Sequence, residues 1–321
     1  MSHSLSRRQV LAGAGVAVVA GMSTALTMPL AGAPVARSEK EPFGYSLNTS
    51  TIREQKVGIV REVEIAAEAG YQAIEPWMRE LDDYVKSGGS LKDLGKRIVD
   101  AGLTVESAIG FAQWIVDDDA LRAKGLEEAQ RNMEMLVQIG GKRLAAPPVG
   151  ATKQTGMNLL TIAERYRALL DLGAKIGIVP QVEVWGFSTT LGRVGESVCV
   201  AIESGHPKAC LLPDVYHIYK GGSDFTGLKL LSPACVQVFH VNDYPASPSR
   251  SEINDSHRVY PGDGVAPLSQ IFRDLRSTGD RGYLSHELFN KEYWAQDPLQ
   301  VARTGLEKTR AAVQKALSSG S

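Results

Sequence analysis

From Pro42 onward the chain alternates short apolar runs with longer segments whose apolar positions recur at a helical period. Eight short runs read as strands: GYSLN (44–48), YQAIEP (71–76), LTVESAIG (103–110), KRLAAPP (142–148), VPQVEVWG (179–186), ACLLPDVY (209–216), CVQVFHVND (235–243) and GYLSHELF (282–289). Between the first two, KVGIVREVEIAAEAG sets Val57, Val60, Ile65 and Ala69 near one helical face and stops at Gly70. LEEAQRNMEMLVQIGG and NLLTIAERYRALLDLGAKIG also close on glycine. Repeated strand-helix units of this kind predict an α/β protein, a single closed (β/α)8 barrel. An open doubly wound sheet is the weaker reading, because no GxGxxG turn follows the first strand.

The residues before Pro42 do not share this pattern. MSHSLSRRQVLAGAGVAVVAGMSTAL carries Arg7 and Arg8 ahead of a small-residue apolar run, too short for a comfortable membrane span. The stretch from Ser6 to Leu11 resembles the twin-arginine export signal, an address for proteins that fold before export. Residues 1–36 are therefore expected to be a signal peptide and 37–321 the mature barrel. The expected location is the periplasm, with no stable membrane insertion after cleavage.

Composition narrows the partners. Hydrophobic residues make up 43% and charged residues 22%, and the formal net charge of −1 provides no basic field for nucleic acid or an anionic membrane. The three cysteines, Cys199, Cys210 and Cys235, are too few for a disulfide scaffold and lack zinc-site spacing. A small-molecule partner is the remaining expectation.

In a barrel, chemistry gathers at the C-terminal ends of strands. Those ends carry Glu75, then Glu183, Asp214, His240 and Glu287 on the fifth to eighth strands. A carboxylate inside an apolar run such as QVEVW has little reason to be there for folding, since burying it unpaired costs several kcal/mol, roughly. Three carboxylates and an imidazole form an oxygen-and-nitrogen set for one divalent cation. Manganese is the expected ion, with cobalt, magnesium or zinc as alternatives. Such an ion would polarise a carbonyl and stabilise an enediolate. The tryptophans Trp77, Trp114, Trp185 and Trp294 each follow a predicted strand, where rings stack on sugar faces. Trp114, Trp185 and Glu75 are accordingly expected to touch substrate.

The motifs QVEVWG, LLPDVYHIYKGG, VFHVNDYP, RVYPGDG and LSHELFN resemble the xylose isomerase-like TIM-barrel superfamily, in its sugar phosphate isomerase/epimerase branch. The resemblance covers essentially the whole mature chain. It implies metal ligands at Glu183, Asp214, His240 and Glu287, with Glu183 and Glu287 as the proton-transfer pair. It also implies a substrate contact at His217. The pattern departs in two places, with Thr189 where ketose epimerases carry a glutamate and Ala246 where they carry an arginine. Arg258 or Arg250, in the loop after the seventh predicted strand, is expected to supply the latter.

The implied activity is proton transfer beside the carbonyl of a sugar, cyclitol or keto-glycoside, giving an isomerase or epimerase. A lyase on keto-glycosides or a non-catalytic sugar-binding barrel is the alternative. The nuclease branch of the superfamily is disfavoured by the charge and by strand ends without its histidines. Export suits a keto-sugar prepared by a separate oxidoreductase better than a phosphorylated metabolite. A homo-oligomer is compatible with the class.

Overall fold

A computed structural model describes residues 41–279 and 281–318. The expected signal segment, 1–36, lies outside the described residues. Among the described residues no helix is long and apolar enough to cross a membrane.

The chain opens with β1 (Gly44–Asn48), a 3-10 turn (Thr49–Gln55), α1 (Ile59–Ala69), β2 (Ala73–Glu75), α2 (Met78–Lys86), α3 (Leu91–Asp100) and α4 (Asp119–Gln138). It continues through β3 (Arg143–Ala146), α5 (Leu159–Ile176), β4 (Val179–Glu183), α6 (Val194–Glu203), β5 (Leu211–Leu212) and α7 (Val215–Gly221). The last units are β6 (Val238–Val241), α8 (Leu268–Ser277), β7 (Tyr283–His286), α9 (Lys291–Trp294) and α10 (Pro298–Ser318).

All the strand ladders are parallel, in the orders β2-β1-β7-β6 and β3-β4-β5. Two seams join them into a ring. Bridges from Leu211 to Val236 and from Asp214 to His240 connect β5 with β6. On the other side, residues 103–110 form the stave between β2 and β3 through bridges at Thr104, Val105 and Ile109. This segment is a broken ladder where the sequence pattern predicts a strand. Its neighbour contains Pro76, which accepts a hydrogen bond from Ile109 N at 2.9 Å but has no N–H to return. Pro213 shortens β5 in the same way, so the predicted run 209–216 keeps only two ladder residues.

Local chemistry sets the helix ends. Asn158 caps α5 by accepting from Leu160 N at 2.8 Å, and Gly177, at φ 96°, ends the helix in the left-handed region. Alternation along the staves then sorts the side chains. Leu47, Ile74, Val182, Phe239 and Leu284 belong to the large buried core, while Ile109, Ala145, Leu212 and Val238 join Trp77 in a second apolar cluster. That second cluster packs against Phe111 and Phe289, two rings that line a cavity at the C-terminal ends of the strands.

Candidate active site

The same two-residue period that buries Leu47 and Val182 puts Asn48, Glu75, Glu183, His240 and Ser285 on the other face of their strands. Ladder register aligns them: Asn48 stands opposite Glu75, His240 opposite Ser285, and Asp214 bridges to His240. That face is the barrel interior, because the Nε2 of His240 on β6 lies 3.0 Å from Glu75 Oε2 on β2. Glu75 also accepts from Asn48 Nδ2 at 2.9 Å and from Ser285 Oγ at 2.6 Å. Burial pushes the Glu75 carboxyl up, but His240 and the hydrogen bond from Ser285 outweigh it and hold it below the usual carboxylate range.

With Glu75 on Nε2, the other ring nitrogen of His240 turns toward Glu287 and Asp214. Nδ1 lies 3.2 Å from Glu287 Oε2 and 3.8 Å from Asp214 Oδ2, yet it has no hydrogen-bond partner. Asp214 reaches this point as the N-cap of α7. Its Oδ1 accepts from His217 N at 2.8 Å, and its Oδ2 accepts from Asn242 Nδ2 at 2.9 Å. Pro213 thus ends β5 and hands the next residue to a helix start, which leaves one carboxylate oxygen for the site.

Arg258 enters from the loop after β6. Asp243 pins that loop by accepting from Gly262 N, Gly264 N and Ala266 N at 3.0, 3.1 and 2.8 Å. Arg258 Nη1 donates to Asp214 Oδ2 and Glu287 Oε2, both at 2.9 Å. Nη2 donates to Asp255 Oδ1 at 2.6 Å and lies 3.1 Å from His217 Nε2. The guanidinium is buried, which lowers its proton affinity, but Asp214, Asp255 and Glu287 outweigh the desolvation and keep it charged. Burial and this cation together hold the His217 imidazole below its ordinary value. For His240 the balance goes the other way, because Glu287 and Glu75 overcome burial and hold it well above its ordinary value.

Glu183, at the end of β4, is 4% exposed, and its Oε2 has no hydrogen-bond partner. Its carboxyl is pushed up to about 8, first by burial and then by the negative charge of Glu287 and Asp214, against the pull of His240. Asp214, His240 and Glu287 present ligand atoms within 4.8 Å of one another and could hold a metal ion. Glu183 is not in that cluster; it lines the adjoining cavity beside two like-charged neighbours. Three of the four expected ligands therefore converge, and the fourth stands next to them. The donor set fits a hard or borderline divalent cation, and the unpartnered Nδ1 of His240 faces the point where such an ion would sit.

The cavity above this floor measures about 430 Å³, and Glu183, Glu287, His217 and Arg258 line it together with aromatic rings. Trp185 is among those rings. Trp114 is not: it is 1% exposed, donates from Nε1 to Pro147 O at 2.9 Å and packs on Tyr166 of α5. Its loop turns the indole into the core, where its N–H finds a backbone partner. Glu75 is likewise beneath the floor, fully buried, positioning His240 and not lining the cavity. Between the two candidate arginines, Arg258 takes the central place. Arg250 lines a separate surface depression.

Sequence reasoning missed Asn48, Asn242 and Ser285, which hold carboxylates in place, and the rings Phe111, Phe187 and Phe289. Asn48 ends the first strand as Glu75 ends the second, so the same strand-end rule points to it. Asn242 lies two residues past His240 and shares its face.

A parallel barrel with acid, imidazole and guanidinium groups at its C-terminal strand ends defines the class of fold, and sequence comparison gives its family. Residues 63–312 match the xylose isomerase-like TIM barrel profile, and the chain belongs to that family. It is 24% identical over 272 residues to an inosose isomerase of Bacillus velezensis, covering 84% of this chain and 96% of that protein. It is 24% identical over 230 residues to a 3-dehydro-D-guloside 4-epimerase of Escherichia coli, covering 68% of this chain and 83% of that one. The zinc-bound crystal structure of the IOLI protein superposes with a TM-score of 0.78 at 21% identity, over 85% of this chain and 99% of its own.

Proposed function

We propose that the protein is an isomerase or epimerase that moves a proton beside the carbonyl of a keto-sugar, a cyclitol or a keto-glycoside. The observation that carries this reading is the pairing of two buried carboxylates, Glu183 with an unpartnered oxygen and Glu287, in the lining of one cavity. Two carboxyl groups facing one cavity supply the base and the acid that moving a proton beside a carbonyl needs. Glu183 would remove the proton on one face of the substrate carbon, and Glu287 would deliver one to the other face. Arg258 and His217 would hold the substrate oxygens, Arg258 through a guanidinium fixed by three carboxylates.

Asp214, His240 and Glu287, with Glu183 as the fourth group, would hold one divalent cation, manganese by preference. When bound, the ion supplies Lewis-acid polarisation of the substrate carbonyl. The relatives named above support the substrate class, small and sugar-like. On a cyclitol or a glycoside, the keto group would come from oxidation of a hydroxyl by a separate oxidoreductase. Arg7 and Arg8 support export in the folded state, which cell fractionation of the full chain against a variant with both arginines changed to lysine would test.

The central experiment is deuterium wash-in from D₂O into candidate keto-sugars, with metal content measured on the same preparation. Glu183→Gln and Glu287→Gln are each expected to slow exchange by roughly 10²–10⁴-fold. Exchange at wild-type rate in the double variant would overturn the assignment.

A further inference from the structure

The cavity has two kinds of wall. Its floor is polar, formed by Glu183, Glu287, His217 and Arg258. A row of rings adjoins the floor, with Trp77 to Phe111 at 5.1 Å between centroids, Phe111 to Trp185 at 6.2 Å, Trp185 to Phe187 at 5.2 Å, and Phe187 to His217 at 5.7 Å. The row ends at Phe187, which is 48% exposed. Its volume of about 430 Å³ falls in the range of pockets that take drug-sized ligands, more than one sugar ring fills.

The outer rings are held rigidly. A Cβ on Gly186, between Trp185 and Phe187, would come within 2.2 Å of His217 O and 2.5 Å of Gly221 N, so the backbone there lies directly on α7. Ser188 N donates to Trp185 O at 2.8 Å, and Trp185 N to Leu191 O at 3.2 Å. The loop gives the cavity rings without polar groups. Thr189 Oγ1 turns away to the carbonyls of Thr152 and Gln154. Arg53, Asp255, Ser256 and Lys291 also line the cavity, but the faces of Phe111, Trp185 and Phe187 themselves offer a hydroxylated ring no hydrogen-bond partners. A flat apolar group would gain burial and ring stacking.

We propose that the substrate is a glycoside with a planar, apolar aglycone, its sugar ring on the polar floor and its aglycone against Phe111, Trp185 and Phe187. This rests on the proton-transfer reading for the sugar end and adds a second subsite to it.

The test compares methyl, phenyl and glucosyl keto-glycosides of the same sugar in the deuterium wash-in assay, using the full chain. Separately, quenching of tryptophan fluorescence is titrated with an unreactive phenyl glycoside. The phenyl compound is expected to show a KM roughly 10–100-fold below the methyl one, as burial of an aryl group implies. Phe187→Ala is expected to shrink that ratio by about 5-fold or more, with Phe187→Trp restoring it. A phenyl-to-methyl ratio near one, a ratio that Phe187→Ala leaves in place, or preference for the glucosyl compound overturns the proposal. If no keto-glycoside exchanges deuterium, the proton-transfer reading fails. Fluorescence then decides the subsite: quenching that weakens in Phe187→Ala upholds it, and equal quenching in both proteins removes it.

Discussion

Among the places where this barrel buries carboxylates, two answer the cost of burial in opposite ways. On the outer side, Glu62 of α1 and Glu80 near the start of α2 line a second cavity with Arg53 and Arg79. Glu62 is 2% exposed, and its Oε2 has no partner; burial, then the neighbouring Glu80, pushes its carboxyl up to about 9. Glu80 accepts from Thr49 Oγ1 at 2.6 Å and from Trp77 N at 3.0 Å. Among the described residues no histidine or buried arginine bridges the two acids, so burial is answered by protonation. On the inside, Asp214 and Glu287 share the Arg258 guanidinium and His240 stands between Glu75 and Glu287. There burial is answered by opposite charge supplied from several strands. Buried acid alone therefore does not mark a site; convergence with cations at one barrel level does.

The largest effect should follow from removing the internal cation. Arg258→Met leaves Asp214 and Glu287 buried without their shared donor, and loss of one partner of a buried ion pair costs about 3–5 kcal/mol. We expect that loss in urea unfolding with chelator present. Added Mn²⁺ should recover more stability in the variant than in the wild type, since a cation among the same oxygens replaces the missing charge. Coincident unfolding curves for variant and wild type would show that Arg258 does not balance this cluster.

A smaller effect should come from Glu75, whose place illustrates what the sequence leaves legible. The strand-end rule found Glu75, Glu183, Asp214, His240 and Glu287 because a two-residue period and a parallel ladder fix which face a residue occupies. The eightfold repeat was visible for the same reason, with the 103–110 stave recognised and only its ladder overestimated. Period says nothing of how deep a side chain lies across the lumen, so Glu75 was expected at substrate while it lies under His240. Trp114 was misplaced for a related reason: a loop ring turns to whichever partner its N–H finds, here Pro147 O. Arg258 is 18 residues beyond His240 by numbering, and only the pinning of its loop by Asp243 brings it back. Glu75→Gln keeps the shape but weakens the partner of His240 Nε2. Such partners contribute about 10–100-fold to metal affinity, and calorimetric Mn²⁺ titration should read a loss in that range. Unchanged affinity would assign Glu75 to folding alone.

The outer acid pair makes a different prediction, set by proton linkage. The folded-state value of Glu62, about 9, lies above its ordinary value of 4.5. Between those two values the unfolded chain has released the proton while the folded chain retains it. Stability must then fall as pH rises through that window, and level off above the folded-state value. Glu62→Gln removes the titration while keeping the shape and a hydrogen-bonding end group. Wild type and variant should therefore differ little in acid and diverge with rising pH. The variant is expected to be the more stable of the two near pH 8, by a margin that grows with pH across the window. Urea midpoints for both proteins across that range measure it, and the difference between the two curves cancels the contribution of Glu183, which titrates in the same direction. Parallel curves would mean that Glu62 ionises in the folded protein, and the contrast between the two acid clusters would lose its basis.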